Sequence, residues 1–381
     1  MIMQSLPPVG RPLRIGPPSP ASQVEGYRSV WLNSGTSALS LALILAKRCR
    51  ADVTAPQVIL PAYGCPDLVA AAVYAGVQPL LVDINASDPS YCLEQLEQAL
   101  SERVVAVVMV NFLGIRERVG ELKSMVKRCS QALLIEDNAQ WYPEFEDESL
   151  GWQGDMALTS FGRGKPVNLM GGGVLWVAEH LRVPLEAWVH EHGYAAPKSL
   201  PSSQAFRFKA GVFNTLLKPA VYHWVSRLPF LHVGATTYHT LEAIEPMDGA
   251  RFGQVNSGVL RYLQLGREIE KIFADALATT SVRDLPTQLS VRTGRLLRYP
   301  VLLPDTVSEN TLAELGSLCS LGVSRMYQRP LPHIEGVSPL VQVYSTISGA
   351  QQFAQRLLTL PVHAGVTERH VANIAKQLNT V

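Results

Sequence analysis

The chain has 381 residues, 47% hydrophobic and 17% charged, with 33 basic and 32 acidic side chains and a formal net charge of +1. That length buries a large core and divides into two domains, or one large and one small, while the near-neutral balance leaves no footprint for nucleic acid. Five scattered cysteines (Cys49, Cys65, Cys92, Cys129, Cys319) form no Cys-x-x-Cys pair, which argues against a disulfide framework or structural zinc and fits a cytoplasmic setting.

Residues 1–25 read as an irregular arm, because Pro7-Pro8 and Pro17-Pro18 exclude helix. The arm lacks the apolar stretch of a signal peptide, and no apolar run is long enough to predict a transmembrane segment. From Ser29 onward short apolar runs alternate with helical stretches. Strands are predicted at 58–61, 79–84, 104–111, 132–136, 156–160 and 174–177, and helices at 36–50, 66–75, 93–101 and 118–129. That alternation predicts an α/β fold, a large domain over 26–250 with helices against a mostly parallel sheet. Ligands of such sheets bind beyond the carboxyl ends of the strands.

Residues 181–247 form an aromatic-rich insertion in that domain. Between Phe206 and Tyr238 it mixes Phe, Leu, Trp and Tyr with Arg207, Lys209, Lys218 and Arg227. Two readings are open: an interfacial amphipathic element or lid over a bulky substrate, or an extra buried dimer contact, the commoner fate of such a stretch. A long interdomain helix is predicted over 251–280. A smaller α/β unit follows over 281–381, with a strand at 297–303 and helices at 311–321, 350–358 and 367–378.

Three constellations carry chemistry. Ser34-Gly35-Thr36-Ser37 stands where an apolar strand gives way to a helix, so its free N–H groups and the helix dipole suit a phosphate; an ordinary helix cap reads the same way. Asp137 ends the run Ala132-Leu133-Leu134-Ile135-Glu136-Asp137, where a carboxylate can face a protonated ring nitrogen or simply cap the strand. Lys165 follows Ser160-Phe161-Gly162-Arg163-Gly164 and precedes Gly171-Gly172-Gly173. A lysine in a tight loop is a Schiff-base former when its surroundings tune it, though solvated lysines are commoner. The spacing is wrong for a Walker loop, and no dinucleotide fingerprint follows the first strand. Together a phosphate turn, a strand-end aspartate and a loop lysine are the parts that hold pyridoxal 5′-phosphate (PLP). No metal is called for.

In this order the motifs resemble the DegT/StrS-type sugar aminotransferases. The best matches are Ser34-Gly35-Thr36-Ser37-Ala38-Leu39, Pro61-Ala62-Tyr63, Val82-Asp83-Ile84, Glu136-Asp137-Asn138-Ala139-Gln140, Ser160 through Lys165, and the tail Leu360-Pro361-Val362-His363. The resemblance covers 28–177 closely and 251–381 more loosely. It implies a fold-type I PLP-transferase: a three-layer α/β/α domain with a smaller C-terminal α/β domain, working as a homodimer with shared sites.

Carried over, it makes Lys165 the Schiff-base lysine and proton shuttle, sets Asp137 on the ring nitrogen and Gln140 on the ring hydroxyl, and gives Gly35, Thr36, Ser37 and Ser160 to the phosphate. Cys65 stands where the family has a ring-stacking aromatic, and no asparagine near Met247–Arg251 matches the family's cross-subunit phosphate contact. Tyr63, Tyr327 and His333 fall on the substrate side. The implied reaction moves an amino group from an amino acid, glutamate by analogy, to a keto sugar linked to a nucleotide. A cyclitol, aldehyde or lipid-linked ketone is the alternative acceptor, and a PLP-binding regulatory protein with little turnover the alternative of another class.

Overall fold

The structure, a computed structural model, describes residues 4–19, 21, 23–143, 152–228, 236–306 and 315–379. Its strands are β1 (Tyr27–Leu32), β2 (Gln57–Pro61), β3 (Gln78–Val82), β4 (Ile84–Asn85), β5 (Asp88–Tyr91), β6 (Val104–Val110), β7 (Leu133–Asp137), β8 (Met156–Ser160), β9 (Gly173–Ala178), β10 (Arg283–Asp284), β11 (Arg298–Leu302), β12 (Gln342–Val343) and β13 (Leu357–Pro361). The helices that matter below are α1 (Gly35–Cys49), α2 (Asp67–Ala75), α3 (Leu93–Ala99), α4 (Val119–Cys129), α5 (Arg182–Glu191), α6 (Gln204–Leu216) and α7 (Pro219–Val225).

Eight strands make the main sheet in the order β1-β9-β8-β7-β6-β2-β3-β12, and only β9 runs against the rest. The inner strands are buried throughout, which explains why they read as continuous apolar runs rather than alternating ones. Successive side chains still point to opposite faces. Val58, Leu60, Ile135 and Leu158 pack into the cluster shared with α1 and α2, whereas Ile59, Leu134 and Met109 join Leu96 and Leu122 of α3 and α4. Three layers result. Since β1, β7 and β8 are mutually parallel, Ser34, Asp137 and Ser160 emerge on one edge of the sheet.

The small unit pairs β10, β11 and β13 antiparallel, over a core of Phe273, Tyr299, Leu318, Val371 and Ile374. Leu6, from the N-terminal arm, belongs to the same core. The arm has no helix or strand over 4–19, yet it is firmly docked. Arg11 donates to the carbonyls of Pro166 (3.3 Å) and Leu296 (3.1 Å), and the buried Gln254 amide both accepts from and donates to the Gly16 backbone.

Three predicted helices need correction. The long interdomain helix is instead three pieces, Gly249–Phe252, Val255–Leu263 and Glu268–Leu277. It breaks first at Gly253, whose backbone lies so close to Leu200 that a Cβ would sit 2.7 Å from the Leu200 carbonyl. The helix predicted at 311–321 lies partly outside the described residues, and Leu315–Leu321 is 3-10 helix. The one predicted at 350–358 spans Ser348–Arg356, because Leu357 and Leu358 already belong to β13.

Candidate active site

At the end of β1 the chain turns sharply into α1. Ser34 caps the helix, its Oγ accepting the Ser37 N–H at 3.0 Å. Ser37 is wholly buried, and its hydroxyl lies 2.9 Å from Ser34 Oγ and donates to the Ala243 carbonyl at 3.4 Å. Amide and hydroxyl are both committed inside the protein. Gly35 and Thr36 precede Ser37 in the first turn of the helix.

Gly35 is where two strand ends meet. A Cβ there would lie 2.7 Å from Ser160 Cβ and 2.9 Å from Ser160 Oγ, so only glycine lets the first turn of α1 abut the end of β8. Behind it Gly173 is pressed equally hard, its Cβ position 2.4 Å from the Ser34 carbonyl oxygen. The seat thus combines a helix N-terminus, which favours anions, with a serine hydroxyl.

Lys165 rides the loop between β8 and β9. The loop is closed by Phe161 N–H to the Gly172 carbonyl (2.8 Å) and by Leu169 and Gly171 N–H to the Phe161 carbonyl (2.8 and 3.1 Å). Gly164 adopts φ of 68°, a left-handed turn that glycine enters without strain. Asp137 is buried at the end of the adjacent strand β7, with Ala139 N–H donating to Oδ1 at 2.8 Å. No other hydrogen bond reaches its carboxylate among the described residues. Burial pushes the Asp137 carboxyl above its ordinary range; the Ala139 N–H and the nearby Lys165 charge oppose this, and Asp67 adds to it.

Cys65, Gln140 and Tyr327 close one side. Burial pushes the Cys65 thiol up to about 12, with Asp67 raising it further and Lys165 and a hydrogen bond with Tyr327 lowering it. The thiol is thus neutral at physiological pH. Gln140 Nε2 donates to the Tyr327 hydroxyl at 3.2 Å while its Oε1 accepts the Leu113 N–H at 3.2 Å. Tyr327 has φ of 46° and packs with Tyr63 and Phe112, ring centroids 5.9 Å away in each case.

The three residues expected on the substrate side part company here. Tyr63 lies within the aromatic cluster against Phe112 (5.5 Å) and Phe353 (5.2 Å), and its hydroxyl donates to the Met326 carbonyl. It is packing, with almost no exposed surface. Tyr327 joins the Cys65–Gln140 group. His333 is exposed on the turn Leu331–His333, which is tied down beside Tyr63 by Leu331 N–H donating to the Ala62 carbonyl at 2.8 Å. Asp67, exposed at the start of α2, reads from sequence as a helix-dipole partner; it is two residues from Cys65, and folding brings its charge to bear on Asp137 and Tyr327 as well. No cluster of three or more His, Cys, Asp or Glu that could hold a metal occurs among the described residues.

Residues 24–206, which include every element described above from β1 through Lys165, match the model of the DegT/DnrJ/EryC1/StrS aminotransferase family. That stretch, just under half of the chain, is similar to this family. A Micromonospora echinospora protein whose name proposes an L-glutamine:3-amino-2,3-dideoxy-scyllo-inosose aminotransferase is 31% identical over 150 residues, which are 38% of this chain and 34% of that protein. The match thus spans about a third of the length of that relative. Among solved structures, a protein from Streptococcus pneumoniae proposed to be a sugar aminotransferase, in its PMP form, superposes with a TM-score of 0.67 at 20% identity, covering 92% of this chain and 87% of that one. A DegT DnrJ EryC1 StrS aminotransferase from Brucella abortus superposes at 0.64 with 17% identity, covering 93% and 85%. These likenesses show the shared fold over nearly the whole chain, including the small unit that the family model does not reach.

Proposed function

We propose that this chain is a DegT/StrS-type, PLP-dependent aminotransferase that takes an amino group from an amino acid and delivers it to the ketone of a sugar, nucleotide-linked in the leading reading. One observation carries most weight. Lys165, on the loop after β8, lies near enough for its charge to act on the buried Asp137 carboxyl at the end of β7, beside a helix terminus that suits an anion. The residues fit the cofactor. A buried carboxylate with one oxygen taken by Ala139 N–H has room to accept from a protonated ring nitrogen, which relieves the cost of burying it. The Gly35–Ser160 contact makes a phosphate cradle that any Cβ at residue 35 would fill.

Bound there, PLP supplies an electron-withdrawing ring that accepts and returns an amino group. The chain's own part is positional. Gly35, Thr36 and Ser160 hold the phosphate, and Asp137 fixes the ring by a charge-assisted hydrogen bond. Gln140, backed by Tyr327, would contact the ring oxygen, and Cys65 would offer a neutral, apolar wall to the ring. Lys165 Nζ would tether the cofactor and, when free, would serve as the base that moves a proton at the donor's α-carbon.

A cyclitol ketone with L-glutamine as donor is the second reading, favoured by the name of the Micromonospora relative. The deciding experiment is an absorbance spectrum of the purified protein with PLP, before and after glutamate or glutamine, with Lys165→Ala alongside. A visible band that one donor bleaches, and that the variant lacks, supports the assignment and identifies the donor. Keto-sugar nucleotides and cyclitol ketones offered to the bleached protein then distinguish the acceptors by return of the band. Protein that shows no visible band with excess PLP would end the proposal.

A further inference from the structure

From His192 to Leu241 the chain carries no aspartate or glutamate, although the whole sequence has 32. The same stretch carries Lys198, Arg207, Lys209, Lys218 and Arg227, and no ion pair among the described residues engages any of them. It also concentrates exposed apolar side chains. On α6, Phe208, Val212 and Leu216 recur every fourth residue and so form one stripe; all three are exposed, Phe208 by 73%. Trp224 near the end of α7 is 64% exposed, and Leu228 and Leu200 join the same class.

The opposite side of α6 is firmly anchored, so the stripe is not a helix awaiting its core. Phe206 and Ala210 are buried with Leu13, Ile15 and Met170. The Arg251 guanidinium lies 5.6 Å from the centre of the Phe206 ring, and the Asn214 side chain makes two 2.8 Å hydrogen bonds with the Leu13 backbone. The outward stripe is therefore presented rigidly, with Arg207 and Lys209 flanking it in sequence.

We infer that α6 and α7 dock this enzyme onto an anionic lipid surface. Exposed Phe, Trp and Leu side chains in a stretch that carries Lys and Arg and no acidic residue match the chemistry of a bilayer interface with negative headgroups. The helix is far too short to span a membrane, and no described helix is long and apolar enough to do so. Charge also decides against a second copy of the same face. A two-fold contact would press this basic, acid-free stretch against a second copy of itself, and like charges brought together resist association. An anionic headgroup layer meets all of them with the favourable sign.

Flotation of the full-length protein with vesicles tests this independently of any aminotransferase activity. Vesicles of phosphatidylcholine alone are compared with vesicles in which one lipid in three is phosphatidylglycerol, at about 0.1 M and about 0.5 M salt. Binding is expected only with phosphatidylglycerol, and it should weaken in high salt. Phe208→Ser with Trp224→Ser should lower partitioning about tenfold or more. Lys209→Gln with Lys218→Gln should lower it roughly 30-fold, about fivefold per cation. These side chains are exposed, so melting temperature should not move. Absence of binding to phosphatidylglycerol vesicles, equal binding to both lipids, or binding that survives both pairs of substitutions each overturns the inference. A Phe208/Trp224 variant that runs as a smaller particle than wild type on size exclusion, with no lipid binding by wild type, would assign the face to a second copy instead.

Discussion

Replacing Asp137 by asparagine separates what that carboxylate costs the empty protein from what it returns when the cofactor is bound. Asn keeps the oxygen that accepts the Ala139 N–H at 2.8 Å, so the local backbone loses nothing. In the empty protein burial holds the Asp137 carboxyl above its ordinary pKa. The folded state then binds this proton more tightly than the unfolded chain, and stability falls as pH rises from the unfolded value through the raised one. At neutral pH the aspartate is a net cost, and empty Asp137→Asn should melt at or above the wild-type temperature. With PLP the sign reverses. A charge-assisted hydrogen bond in a buried site contributes about 1.5–3 kcal/mol, so the variant should bind PLP roughly 10- to 150-fold more weakly. Absorbance titration of PLP into both proteins measures the loss, and melts with and without PLP measure the reversal. If Asp137→Asn binds PLP within a factor of about two of wild type, the carboxylate does not face the ring nitrogen and the orientation proposed above is wrong.

Gly35→Ala should force α1 away from Ser160, costing about 1–3 kcal/mol in a chemical melt and weakening PLP retention; Ser160→Gly in the same chain should restore part of the stability. Asp83 accepts from Ile84 N–H (2.9 Å), Gly349 N–H (2.8 Å) and Ala350 N–H (2.8 Å), joining the main sheet to the helix Ser348–Arg356. Asp83→Asn turns an amide toward a donor at Gly349, and the urea midpoint should drop by the equivalent of about 1.5–3 kcal/mol. His363 Nε2 lies 2.8 Å from the Pro7 carbonyl and Gly365 N–H donates to Nδ1 at 3.1 Å, which fits a neutral ring. Burial lowers its pKa from 6.5; the Pro7 carbonyl opposes this, while Arg11 and His370 add to it. The unfolded chain takes up the proton first, so stability is lost as pH falls below 6.5 toward the depressed folded value. Thermal melts at falling pH should show a shallower decline for His363→Gln.

Much of the large domain could be read in the sequence because its strands are buried on both faces. A continuous apolar run such as Val104–Val110 leaves little choice of element once its length is known. Periodicity failed where geometry is set by something far along the chain. The apolar pattern continues through 251–278, but the helix is interrupted after Phe252, where Gly253 lies close against the Leu200 backbone. Strand β12 is only Gln342-Val343, both exposed, and exists because β3 offers it a free edge. In the candidate site, the placing of Asp137 and Ser160 at strand ends and of Lys165 in the next loop was legible because these positions are fixed locally. The commitment of Ser37 to Ala243, and the seating of Tyr327 against Cys65 and Gln140, depend on contacts across hundreds of residues that spacing does not encode.

The docked arm has a consequence for how the protein is made. Its partners are Gln254 for Gly16, Leu296 for Arg11 and His363 for Pro7, and Leu6 enters a core completed by Leu378. These arm residues are therefore synthesised long before the residues that hold them in place. At about 5–20 residues per second, roughly 20–70 s separate synthesis of the arm from synthesis of the histidine that pins it. Throughout that interval Leu6 has no completed core to enter, and the nascent chain carries it exposed. A chaperone that shields the N-terminus, or a bulky tag that hinders its late threading, should alter the yield of folded protein more than any equal change on a surface loop.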